Sequence, residues 1–120
     1  MDQMIRILGV DPGLRHTGWG VIAMDGPRLT WIAHGVIKPD TKTDMADRLA
    51  ELCVQLRGVI QAHAPQEAAI EETFVNINPR STLLLGQARG AALATLAGAK
   101  LKVAEFAATK VKQSVVGTGA

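Results

Sequence analysis

The chain has 120 residues, 48% hydrophobic and 20% charged, with a formal net charge of +2. That length suits one domain rather than two, and the balance excludes disordered, collagen-like, coiled-coil and disulfide-scaffold classes. Cys53 is the only cysteine, which fits a reducing, cytoplasmic setting; no apolar run nears the ~20 residues of a membrane span, and residues 1–10 lack a signal-peptide layout.

Residues 5–10 (IRILGV) are rich in β-branched side chains and stop at Asp11-Pro12-Gly13, a turn signal, so they predict a strand. Residues 17–24 (TGWGVIAM), closed by Asp25-Gly26-Pro27, predict a second, and residues 29–37 (LTWIAHGVI) a third. Short links between them predict an antiparallel meander. Residues 44–63 change period: Met45, Leu49, Leu52, Leu56, Val59 and Ile60 recur at helical steps, with Thr43 or Asp44 as the cap and Pro65 as the stop. Residues 67–73 (EAAIEET) predict a fourth strand, brought back to the sheet by the helix before it. Residues 79–99 predict a second helix with a small-residue side suited to close packing on the sheet or on another subunit. Residues 100–106 predict a fifth strand and 107–114 a short helix. The expected order is β-β-β-α-β-α-β-α in one α/β domain, a mixed five-stranded sheet flanked by helices. Trp19 and Trp31, both in strands, are expected in the core.

The charges are unevenly placed. Residues 1–72 carry a net of −3, whereas residues 73–120 hold Arg80, Arg89, Lys100, Lys102, Lys110 and Lys112 against Glu105 alone. An acidic site beside a basic surface is what a metal-dependent enzyme acting on a polyanion needs; an ordinary solvated surface gives the same segregation. Asp11 ends a strand, where α/β sheets place ligands. Glu71 and Glu72 face opposite ways on a strand, so only one can join Asp11. Two carboxylates from neighbouring strands make an oxygen site for Mg²⁺ or Mn²⁺. On pattern alone, a capped turn at Asp11 and a strand-end ion pair at Glu71 read equally well. Phe74 follows on a polar stretch with Asn76, Asn78 and Arg80, either as an apolar wedge or folded back over a core edge. His16 reads as a solvated loop residue, His63 as a partner of its helix C-terminus, and Cys53 as a small hydrophobe. His34 has no partner spacing for a metal.

Four segments, ILGVDPGLRHTGWGVI, AAIEETFVN, LGQARGAAL and VKQSVVGTGA, together resemble the RuvC family of Holliday junction resolvases over essentially the whole chain. The resemblance implies a ribonuclease-H-like fold, a homodimer, and cutting of four-way junction DNA with two Mg²⁺ ions, or Mn²⁺. It implies partnership with a branch-migration complex of the RuvA and RuvB type. It places Asp11 and Glu71 as catalytic, metal-binding carboxylates and Phe74 as the aromatic inserted at the junction centre. Lys112 lies in the V-K-Q segment that the family associates with DNA contact and Arg89 in the L-G-Q-A-R-G helix; with Arg80 they are the expected DNA-binding cations, although a helix arginine at position 89 also suits an acid at the dimer contact. The family pattern includes two further acids on a C-terminal helix. Residues 1–120 are therefore expected to form the nuclease domain without its C-terminal helical part, and to cut weakly or only bind junctions. D-P-G…T-G-W-G also resembles the phosphate loop of actin-like and sugar-kinase folds, whose nucleotide cleft takes a second domain for which 120 residues leave no space.

Overall fold

A five-stranded sheet in the order β3-β2-β1-β4-β5 carries the whole architecture. The computed structural model describes residues 4–72 and 78–106. β1 (Met4–Asp11), β2 (Thr17–Asp25) and β3 (Arg28–Ile37) form the antiparallel meander. α1 (Met45–His63) leads to β4 (Glu67–Glu71), which pairs in parallel with β1. α2 (Pro79–Gly98) then connects β4 to β5 (Lys102–Phe106), again parallel. The order and the mixed sheet match the expectation for a ribonuclease-H-like domain. The helix expected over 107–114 lies outside the described residues.

Strand alternation decides which face is buried. Leu8 and Val10 of β1 pair with Val21 and Trp19 of β2 and with Ala68 and Ile70 of β4. These residues form one core with Leu52 and Leu56 from α1 and Ala88, Ala92 and Leu96 from α2. Both described helices therefore cover the same face. The expectation of a sheet flanked by helices becomes, among the described residues, a sheet covered on one side. Ile7, Gly9 and Asp11 of β1 look the other way.

The helix ends follow their sequence signals in part. Asn78 caps α2, its side chain accepting from the N–H groups of Arg80 (2.9 Å) and Ser81 (3.3 Å), with Pro79 in the first turn. Asp44 takes the cap position of α1 without a side-chain bond, while the Thr43 hydroxyl donates to the Asp40 carbonyl. Ala64 closes α1 in the left-handed region and donates its N–H to Ile60. Arg6 donates to the His63 carbonyl at 2.9 Å, tying the end of α1 to β1.

Trp31 corrects the sequence expectation. Ala33 pairs with Val21, but Trp31 pairs with Ile22, so Ile32 is an extra residue in β3. A bulge of this kind reverses the alternation beyond it. Strict alternation from Ile37 through Gly35 and Ala33 would bury Trp31; the bulge turns it to the opposite face, where it is 62% exposed. Trp19 stays against the core, its ring over Gly35 and 5.4 Å from that of His63.

Candidate active site at the ends of β1 and β4

β1 and β4 run parallel with Val10 opposite Ile70. One residue further on each strand stand Asp11 and Glu71, one strand spacing apart (about 4.8 Å) and on the face away from the helices. Both line an open hollow of about 450 Å³. Glu72, on the opposite alternation, is exposed and does not line it.

The floor of the hollow is nearly bare backbone. Asp11 pairs with Gly18, and Gly9 pairs with Gly20 on one side and Ala69 on the other. No side chain longer than a methyl rises from these four floor positions, so a bulky ligand can lie against the sheet itself. Phe106, paired with Glu71, forms part of the rim. The turn after Asp11 is built for closeness: a Cβ on Gly13 would collide with the His16 carbonyl oxygen. Arg48 of α1 fixes this turn by donating to the Leu14 carbonyl at 3.0 Å.

The donor chemistry fits a hard divalent ion. Asp11 and Glu71 offer carboxylate oxygens alone, and Mg²⁺ is commonly held by one or two carboxylates plus water and substrate phosphates. Among the described residues no group of three or more His, Cys, Asp or Glu is placed to hold a metal, so these two acids are the pair the described sheet supplies.

The other sequence candidates are dispersed. Arg80 is exposed in the first turn of α2. Arg89 is engaged inside the fold: it donates to the Glu71 carbonyl at 3.0 Å and forms an ion pair with Glu105. Its guanidinium is thus held by the chain's own groups rather than standing free on a surface. Phe74 and Lys112 lie outside the described residues. His16 is exposed in the turn, and His34 is exposed beside Trp31 with ring centres 5.1 Å apart. Cys53 is a half-buried free thiol facing the Ala91 carbonyl between the helices.

Two features escaped the sequence reading. The glycine floor comes from the alternate glycines of T-G-W-G and the single glycine of L-G-V-D, which meet only through the pairing of the two strands. Phe106 shares the exposed alternation of Lys102 and Ala104, a pattern too short to separate from a core strand.

Residues 7–120 match the family described as RuvC, crossover junction endodeoxyribonuclease RuvC. The chain is 60% identical over 119 residues to the crossover junction endodeoxyribonuclease RuvC of Hyphomonas neptunium, covering 99% of this chain and 71% of that protein. It is 59% identical over 115 residues to the protein of the same name from Caulobacter vibrioides, covering 96% of this chain and 68% of the relative. Among solved structures, the T. thermophilus RuvC in complex with Holliday junction substrate superposes with a TM-score of 0.85 at 26% identity, covering 94% of this chain and 69% of that one.

Proposed function

The chain belongs to the RuvC family of crossover junction endodeoxyribonucleases, and from that premise we propose that Asp11 and Glu71 are the acids with which it hydrolyses DNA strands at four-way junctions. The family's chemistry is hydrolysis of a phosphodiester with a divalent metal; Mg²⁺ is our assignment for this chain, with Mn²⁺ as a substitute. What supports the reading is the register that carries two carboxylates from adjacent parallel strands to one glycine-floored hollow.

A bound divalent ion pair would supply an activated water and charge stabilisation for the leaving 3′ oxygen. The chain's own residues account for the rest. Asp11, at the strand end beside β4, and Glu71 would hold the ions through their carboxylates. The bare floor of Gly9, Gly18 and Gly20 lets a phosphodiester approach the acids without a side chain intervening. Arg80 contributes positive charge from the first turn of α2, and Lys112 from its V-K-Q segment. Both serve to anchor phosphates, which supply most of the affinity for a nucleic acid. Phe74 serves as a wedge at the junction centre, where unstacking is already partly accomplished. The protein works as a homodimer in the cytoplasm, with residues 1–120 in one nuclease domain, alongside a branch-migration complex of the RuvA and RuvB type.

The test is Asp11→Asn in the full chain. The amide keeps the shape and loses the charge, so junction cleavage should be abolished while junction affinity measured without divalent metal stays close to the parent's. Undiminished nicking by this variant would refute the assignment. If the parent chain binds junctions and never cuts them, the chain is a junction-binding domain instead.

A further inference from the structure

The peptide joining Glu71 to Glu72 is trans, as are all those described, so its N–H and C=O point to opposite sides of β4. The Glu72 N–H turns toward β5 and donates to the Phe106 carbonyl at 2.6 Å. The Glu71 carbonyl therefore turns toward β1. In a parallel ladder such a carbonyl takes the N–H of the residue after its partner. Extending the Val10–Ile70 register by one step makes that residue Pro12, which has no N–H to give. The turn that ends β1 beside Asp11 thus offers the Glu71 carbonyl no backbone N–H from β1 at this step of the ladder.

Arg89 supplies one. From α2 its Nε donates to the Glu71 carbonyl at 3.0 Å. Its Nη2 pairs with Glu105 on β5, and only 16% of the arginine side chain is exposed. The Glu71 side chain leaves β4 on the face away from α2, so the guanidinium grips the backbone of that residue from one side while the carboxylate projects into the hollow on the other.

We propose that Arg89 is a positioning residue whose guanidinium replaces the N–H that Pro12 lacks, fixing the end of β4 so that Glu71 holds its metal at the required angle. The proposal rests on the reading of Glu71 as an acid of the active site. It assigns Arg89 a role distinct from a phosphate contact, and it makes Pro12 and Arg89 a coupled pair. Lysine is only a partial substitute at this position, since a single ammonium does not span the Glu71 carbonyl and the Glu105 carboxylate as a planar fork does.

The experiment compares full-chain variants Arg89→Gln, Arg89→Lys, Pro12→Ala, the double variant Pro12→Ala/Arg89→Gln, and Glu71→Gln. Three quantities are read: Mn²⁺-induced shift in Tm without DNA, junction affinity against salt without metal, and single-turnover cleavage of saturated junctions at limiting Mn²⁺. Loss of a residue that orients a metal ligand costs about 10- to 100-fold in metal affinity or activity. Arg89→Gln should therefore lower cleavage by that factor and raise the Mn²⁺ concentration needed for the Tm shift, with the salt slope unchanged. Arg89→Lys should lie between it and the parent, and it carries the same comparison if Arg89→Gln does not fold. Restoring a backbone N–H should make the Arg89→Gln loss smaller in the Pro12→Ala background than in the parent. An equal loss in both backgrounds overturns the proposal. So does an Arg89→Gln salt slope flattened by about 0.9 with cleavage of the saturated junction unchanged, which is the signature of one lost phosphate contact. Full activity in Glu71→Gln instead overturns the assignment of Glu71, and the proposal falls with it.

Discussion

Replacing Gly20 by valine should separate stability from activity. A Cβ built at Gly20 meets the Ala33 carbonyl oxygen at 3.8 Å and the His34 Cβ at 4.0 Å, both ordinary contacts. Glycine inside a strand costs roughly 0.5–1 kcal/mol relative to alanine, and valine suits a pleated surface better still. The variant should gain about that much stability, a rise of roughly 2–4 °C in Tm. Its two γ-methyls, however, rise from the floor next to Gly9 and two pairs along the ladder from Asp11, on the same face. A phosphate lying on that floor would have to rise over them, and a misplacement of about 1 Å costs on the order of a hundredfold in rate. Gly35→Ala is the control, because its Cβ would lie 2.7 Å from the Trp19 ring on the core face. That variant should lose about 1–3 kcal/mol by overpacking. Thermal unfolding and single-turnover cleavage of both variants decide the matter. A Gly20→Val protein that cuts at the parent rate would remove the substrate from the glycine floor. One destabilised as much as Gly35→Ala would refute the open geometry of that face.

Phe74→Ala should slow cutting of intact junctions more than it weakens binding, and a junction already nicked at its centre should regain much of the loss, because a nick supplies the flexibility the wedge provides; equal deficits on both substrates would end the wedge assignment. Arg80→Gln and Lys112→Gln should each flatten the log–log dependence of junction affinity on salt by about 0.9, read from titrations without metal, and two unchanged slopes would move the DNA surface elsewhere.

The sheet was legible because its strands keep a strict period of two where it matters. Leu8, Val10, Ala68 and Ile70 alternate with residues of the other face, and the D-P-G turn marks where β1 stops. The two acids were legible for the same reason: each sits one step past a buried residue at the end of a strand. Trp31 was not, because the extra residue Ile32 has no signature of its own among β-branched and aromatic neighbours. The glycine floor was equally hidden. Gly9, Gly18 and Gly20 become one surface only when the antiparallel pairing lays β1 beside β2, a fact of register rather than of local sequence.

The basic half of the chain shows the same limit in its charges. Read along the sequence, Arg80, Arg89, Lys100 and Lys102 belong to one positive surface. In the fold they do not. Arg89 is paired with Glu105, the one acid of residues 73–120, and bonded to the Glu71 carbonyl. Lys102 is the ladder partner of Glu67 at the start of β4 and β5, four residues back along the strand from Glu71, and Lys100 stands in the turn before it. Those lysines occupy the opposite end of the sheet from the acids, more than a Debye length of ~8 Å away at physiological salt. Arg80, nine residues before Arg89 on α2, is exposed in the first turn and has no ion pair among the described residues, so of these four its charge is the one left unspent. An excess of cations in a stretch of sequence therefore becomes a binding surface only after two subtractions: the charges neutralised inside the fold, and those the crossover carries to its far end.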